Sequence, residues 1–338
     1  MSKENRTNRQ VRLAARPDGI PRSTDWSIVE EPVAPPAPGE LLVKVRYISV
    51  DPAMRGWMSD RPSYIPPVDL GAVMRALTVS EVIESSHPSY RVGDWVAGMD
   101  GVQTYAVSDG SQYTKIDTAL APPQTYLGTL GIAGLTAYCG LLEVGQMRAG
   151  DTVLVSGAAG SVGAHVGQIA KIKGGRTIGI AGGREKCAYL IDELGFDAAI
   201  DYKNENVSAG LGRACPEGVD VFFDNVGGEI LNDGLAFINI GARIVICGAI
   251  SQYNNTGPVQ GPSNYRMLLI RRARMEGFIL FDFREEFPAM MKDLAAWRAE
   301  GKVLCREDVA EGTVDIFPDT LLRLFRGENF GKLMIKLP

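Results

Sequence analysis

Histidine is nearly absent from this chain of 338 residues, which has only His87 and His165. His87 precedes Pro88 in a loop, and His165 falls inside a glycine-rich segment. Neither has a cysteine, a carboxylate or another histidine at ligand spacing. A catalytic zinc site draws three protein ligands of those kinds, so the sequence predicts two packing or surface histidines and no metal. The five cysteines, Cys139, Cys187, Cys215, Cys247 and Cys305, are scattered and odd in number. They make neither a disulfide framework nor a CxxC pair, and they point to a reducing cytoplasm. Positive charge is not in excess: 35 Lys and Arg stand against 40 Asp and Glu, a net charge of −5. That balance leaves no footprint for nucleic acid or an anionic membrane surface. No apolar run approaches the length that spans a bilayer. The opening MSKENRTNRQVRL lacks the apolar core of a secretory signal. No GxSxG occurs, so Ser156 and Ser161 are weak nucleophile candidates, and there is no internal repeat.

What is present is an ordinary globular balance, 45% hydrophobic and 22% charged, on a length that suggests two domains. The stretch 152–174, TVLVSGAAGSVGAHVGQIAKIKG, organises the rest. Its first five residues are a β-branched apolar run. Residues 157–163 form a small-residue turn. From Ala164 the apolar residues Val166, Ile169, Ala170 and Ile172 recur at helical spacing. Strand, glycine turn and helix in that order are the context of a dinucleotide fingerprint. Its glycines make the tight turn, admit a pyrophosphate and let helix pack on strand. The helix N-terminus offers N–H groups to the phosphates.

Residues 10–108 read as short strands between Pro/Gly turns, with 41–50, 76–84 and 95–99 the clearest, as in a small barrel or sandwich. In 41–50 the alternation places Val43, Val45 and Tyr47 on one face. The pattern breaks over 51–71, DPAMRGWMSDRPSYIPPVDLG. This loop supplies the candidate substrate residues Met54, Arg55 and Tyr64, the other reading being a loop packed on its own domain. The apolar 126–142 reads as a helix crossing into a second domain. There strands (152–156, 177–181, 219–224, 243–247) alternate with helices (164–173, 185–194, 230–237), the signature of a parallel sheet wrapped by helices. A further strand is expected at 277–281, a helix at 288–300, and a last strand at 332–336.

NAD-binding units place an acidic residue at the end of the second strand, on the ribose hydroxyls. Here that strand, TIGIA, is followed by Gly182 and Gly183, then by Arg184 and Lys186. A missing carboxylate beside two cations fits a 2′-phosphate, hence NADP. Cations are disfavoured at a helix start unless an anion compensates. Tyr202, after the third strand, is placed to flank the same phosphate or the adenine. The later strand ends, Asp224-Asn225-Val226-Gly227-Gly228 and 247–254 (CGAISQYN), face the nicotinamide half, since ligands sit at strand C-termini in such sheets.

These residues together resemble the medium-chain dehydrogenase/reductase superfamily, within it the zinc-independent prostaglandin, alkenal and curcumin reductase group. The carrying motifs are ISVDPAMRG at 48–56, GLTAY at 134–138, SGAAGSVGAHVGQIAK at 156–171, EKCAYL at 185–190, DNVGG at 224–228, CGAISQYN at 247–254 and NFGK at 329–332. The resemblance implies an α/β chain of two domains. A GroES-like β-barrel would cover 1–125, completed by 308–338, and a Rossmann-type doubly wound domain would cover 126–307. It implies NADP(H) contacts at Thr136, Gly160, Ser161, Val162, Gly163, Gly183, Lys186, Tyr202, Asn225, Cys247, Ile250, Ser251, Tyr253, Phe278, Leu280 and Asn329. It also implies a homodimer, whose sheet the strand at 277–281 would extend. The reaction expected is reduction of the double bond of an α,β-unsaturated ketone or aldehyde. Hydride goes to the β-carbon, and Tyr253 and a ribose hydroxyl stabilise the enolate. The alternatives are a quinone oxidoreductase and a non-catalytic NADPH-binding protein.

Overall fold

The computed structural model describes residues 6–338, which divide into two compact units. The first comprises the described residues up to Leu127 with Glu307–Asn329 and Leu333–Pro338; the second is Gly128–Arg306 with Phe330–Lys332.

The first unit opens with an antiparallel pair, β1 (Thr7–Leu13) and β2 (Trp26–Pro32). Then β3 (Leu41–Ser49) pairs antiparallel with β4 (Thr78–Ser85), which pairs with β5 (Trp95–Gly98). Strands β6 (Tyr105–Ser108) and β7 (Thr114–Lys115) join β3 and β5. The face expected for Val43, Val45 and Tyr47 is interrupted. The β3–β4 register shifts between Val45 and Tyr47, so the two valines are buried and Tyr47 only half-buried. An extra residue at a bulge turns the following side chains to the other face. Between β3 and β4, the segment expected to be an irregular loop contains the short helix α1 (Met54–Trp57). Met54, Trp57 and Met58 pack with Val45, Ile48, Phe317 and Leu321 in this unit's core.

The second unit carries the parallel sheet. Its segment from Gly128 holds α2 (Ile132–Tyr138), which runs on into a π-helical turn (Cys139–Val144), in place of one continuous helix. Gly131, the extended residue before α2, interrupts it, and Gly134 inside α2 packs so closely that a Cβ would lie 2.0 Å from the Thr129 carbonyl oxygen. Next come β8 (Thr152–Ser156), α3 (Ser161–Ile172), β9 (Arg176–Ala181), α4 (Arg184–Asp192), β10 (Ala198–Asp201), α5 (Val207–Ala214) and β11 (Val219–Asp224). They are followed by α6 (Gly228–Ala236), β12 (Ile238–Ile246), α7 (Arg266–Arg271), β13 (Arg274–Gly277) and α8 (Phe287–Ala299). The strand order is β10-β9-β8-β11-β12-β13, every pair parallel. The chain reverses its winding between β8 and β11, and ligands of such sheets sit outside the strand C-termini at that reversal.

The last strand of this sheet is not where periodicity put it. It ends at Gly277, and the apolar residues Phe278 to Phe281 lead into a 3₁₀ turn (Leu280–Glu286). The exposed edge is Arg-Met-Glu-Gly, a polar sequence that hydrophobic patterning does not single out. The chain then adds β14 (Glu307–Glu311), α9 (Phe317–Phe325) and β15 (Lys332–Lys336), whose Met334 lies opposite Ser49 of β3.

Candidate dinucleotide site

The glycine turn joins β8, all five of whose residues are buried, to α3. Gly157 has φ +60°, and a Cβ on Gly163 would lie 2.4 Å from the Gly157 carbonyl oxygen. No larger residue lets α3 come so close to the turn. The helix starts at Ser161, three residues earlier than the apolar spacing shows, because its first turn is built from small residues. Gly160, Ser161 and Val162 keep accessible surface while the rest of the helix to Ala170 is buried. The Ser161 hydroxyl oxygen is buried and has no hydrogen-bond partner. An orphaned hydroxyl beside unsatisfied helix N–H groups fits a pyrophosphate oxygen.

His165 lies on the inner side of this helix and is fully buried. Its Nδ1 is 2.6 Å from the Ser161 carbonyl and its Nε2 is 2.9 Å from the Thr129 hydroxyl. The carbonyl can only accept, so Nδ1 donates to it and Nε2 takes the Thr129 proton. Burial lowers the His165 pKa to about 4, against the opposing bond to Ser161. It is therefore a neutral packing residue, one of the two roles expected of it. His87 is half-buried, and its Nδ1 accepts from the Ser89 backbone N–H. Among the described residues no three His, Cys, Asp or Glu side chains stand together as a metal site.

At the second strand end, Gly183 has φ +100° and precedes α4. A Cβ on Gly182 would lie 2.8 Å from the Tyr202 ring, so Tyr202 packs against the turn that carries Arg184 and Lys186. Arg184 is exposed and Lys186 half-buried. Sequence reasoning missed Asp201, an acid that lies beside this turn from the third strand. Its carboxylate accepts from the Gly183 and Lys203 backbone N–H groups and from Asn204 Nδ2. Burial opposes its ionisation, but those bonds win and hold the carboxyl below its ordinary range.

The other two strand ends are tied together through Asp224. This buried carboxylate accepts from Ser156 Oγ at 2.6 Å and from the Gly227 backbone N–H at 2.9 Å. Burial nonetheless pushes its pKa up, against the bonds from Ser156, Val226 and Gly227. Ser156 Oγ accepts in turn from the Asn225 N–H, and Asn225 Nδ2 donates to the Ser156 carbonyl. The Asp224 carbonyl takes the N–H groups of Cys247 and Gly248. Ile250 and Ser251 hang from Asn225 and Val226 by backbone bonds, and Ser251 Oγ adds a bond to the Val226 carbonyl. Tyr253 folds back so that its hydroxyl oxygen accepts from the Ala249 N–H at 3.2 Å, lying 3.0 Å from where a Gly248 Cβ would be. Burial raises the Cys247 thiol to about 12, so it is neutral at physiological pH. On α2, Thr136 keeps accessible surface while Leu135 and Ala137 beside it are buried.

The structure also places the remaining expected contacts, Phe278, Leu280 and Asn329. Phe278 packs against Phe223 and over Gly140, and Leu280 is buried. Asn329 belongs to the first unit. In the first unit's loop, Met54 has no exposed surface, which makes it a core residue and removes it as a pocket wall. Arg55 is also corrected: its guanidinium is buried and donates to the Pro17 and Gly19 carbonyls, so it braces the loop. Tyr64 remains 53% exposed, its hydroxyl accepting from Trp57 Nε1, and it lines a shallow depression of about 350 Å³ with Ile65 and the neighbouring prolines.

A doubly wound parallel sheet with an accessible glycine turn and a cationic second strand end is the arrangement of a dinucleotide-binding protein. Comparison with known proteins narrows the class. The family described as the N-terminal domain of oxidoreductase matches residues 9–116, and that described as zinc-binding dehydrogenase matches 161–296. The chain is 42% identical to NADPH-dependent curcumin reductase of Escherichia coli, over all of this chain and 99% of that protein. It is 38% identical to tobacco (Nicotiana tabacum) NADP⁺-dependent 2-alkenal reductase, over 97% of each chain. The crystal structure of CurA from Vibrio vulnificus in complex with NADPH superposes with a TM-score of 0.93 at 42% identity, over 98% of this chain and 99% of that one. The chain belongs to the zinc-independent medium-chain dehydrogenase/reductases, in the group of curcumin, prostaglandin and alkenal reductases. Escherichia coli quinone oxidoreductase, at 19% identity, shares the fold alone.

Proposed function

We propose that this protein reduces the carbon–carbon double bond of α,β-unsaturated ketones and aldehydes with NADPH, leaving the carbonyl intact. The observation that carries the reading is the full-length similarity to relatives named for curcumin and 2-alkenals, compounds with a carbonyl conjugated to a double bond. Supporting it, the residues present fit NADP(H): the orphaned Ser161 hydroxyl and the α3 N-terminus suit the pyrophosphate. Arg184 and Lys186 suit the 2′-phosphate, with Tyr202 closing the turn beside them.

When bound, NADPH supplies hydride to the β-carbon of the acceptor. Negative charge then develops on the carbonyl oxygen, and a hydrogen-bond donor held at that oxygen lowers the barrier. Tyr253 is the donor we assign. Its oxygen is held by the Ala249 N–H, and its hydroxyl proton is the one it would donate. The Asp224–Ser156–Asn225 bonds hold the loop that carries it. Tyr64 is the candidate substrate contact of the first unit, being the exposed aromatic of its loop. The five free cysteines suit work in a reducing cytoplasm.

A panel of enones, enals and quinones, followed by NADPH absorbance, tests the reading. Turnover of enones and enals is expected. Consumption with quinones alone would replace it by a quinone oxidoreductase, and none with any acceptor by a binding protein. NADPH is expected to bind about ten- to a hundred-fold more tightly than NADH, since a charge-assisted contact is worth roughly 1.5–3 kcal/mol. Equal dissociation constants would remove the NADP assignment.

A further inference from the structure

The glycine turn is braced by a short segment from far along the chain. Gly331 bridges to Gly160 in parallel register, and its N–H donates to the Ala159 carbonyl at 3.0 Å. Gly331 has φ +76°, and a Cβ there would lie 2.0 Å from the Arg306 carbonyl oxygen. That carbonyl also accepts from the Lys332 N–H at 2.8 Å. The Arg306 backbone is therefore packed, through one glycine, against the phosphate turn.

The Arg306 side chain is exposed and lies over the ring of Phe330, 4.1 Å from guanidinium carbon to centroid. Phe330 stands edge-on to Tyr189, the ring centroids 4.8 Å apart. The Tyr189 hydroxyl accepts from the Arg306 backbone N–H. Tyr189 is on α4 three residues after Lys186, hence on the same helix face. A chain of contacts thus runs from the glycine turn through Gly331, Arg306 and Phe330 to the helix that begins at Arg184. In a doubly wound fold the adenosine end of a dinucleotide lies across those two turns. Among the described residues neither Arg184 nor Arg306 has a carboxylate partner. A guanidinium held over an aromatic face by cation–π attraction keeps its positive charge for another anion.

We propose that Arg306 is a further specificity-determining residue for NADP(H), adding a positive charge to the 2′-phosphate side of the site from its Phe330 platform. This rests on the NADP(H) reading above. It is tested on the full-length enzyme by fluorescence titration of wild type and Arg306→Gln with NADPH and NADH, and with 2′,5′-ADP and 5′-AMP as fragments. Arg306→Gln is expected to weaken NADPH and 2′,5′-ADP about ten-fold and to leave NADH and 5′-AMP within about two-fold. Arg306→Lys should recover part of the loss. Equal weakening of all four ligands means that Arg306 only braces the turn, and overturns the proposal. So does an unchanged NADPH-to-NADH ratio in Arg306→Gln when wild type prefers NADPH. A wild type that binds both cofactors equally removes the NADP(H) reading itself.

Discussion

His165 is held between the Ser161 carbonyl and the Thr129 hydroxyl, and burial takes its pKa from 6.5 down to about 4. Between those values the unfolded chain binds a proton that the folded protein does not, so stability falls as pH drops through this window and is fully present above it. The full shift corresponds to about 3 kcal/mol. In urea titrations His165→Gln should flatten the pH dependence between about 4 and 6.5; an unchanged slope would place the acid sensitivity elsewhere. Tyr253 makes a different kind of claim. Losing its hydroxyl should lower kcat roughly ten-fold while the Kd of NADPH moves less than about three-fold, because a donor to developing charge matters most in the transition state. An unchanged kcat in Tyr253→Phe would remove that residue from the chemistry and leave the reaction standing.

The phosphate turn was legible as an element because β8, the glycines and α3 each follow a local rule: β-branched run, small residues, helical period. The close approach it permits is specific enough to test. Gly163→Ala puts a Cβ 2.4 Å from a backbone oxygen that cannot move aside cheaply. It should weaken NADPH binding and lower stability by about 1–3 kcal/mol, the usual range for overpacking. Normal binding and stability would show that α3 can shift freely. Other elements were not legible, for physical reasons. The bulge in β3 reverses the faces that alternation assigns, and α1 inside the 51–71 segment is too short for a period to show. Met54 and Arg55 look like pocket residues in sequence because neither apolarity nor charge reveals whether a loop side chain turns inward. Asp201 and Arg306 were passed over because their roles depend on neighbours far away in the chain.

At the scale of the molecule, the sheet of the second unit ends in β13, whose four residues are exposed and whose outer side has no strand beside it among the described residues. Leu269 of α7, which precedes β13 in the chain, is 81% exposed, and Ile270 and Met275 are exposed as well. An open edge flanked by apolar side chains favours pairing with another edge, and we propose a homodimer joined there. Light scattering at micromolar concentration should give twice the chain mass, and Met275→Lys should shift it toward one; a monomeric wild type contradicts this. The central claim, that hydride reaches the β-carbon and not the carbonyl carbon, is tested most directly by following the label. With NADPH deuterated at the transferred position and an enone acceptor, mass spectrometry and NMR should find the saturated ketone with one deuterium on the β-carbon. An allylic alcohol with deuterium on the former carbonyl carbon would contradict the account.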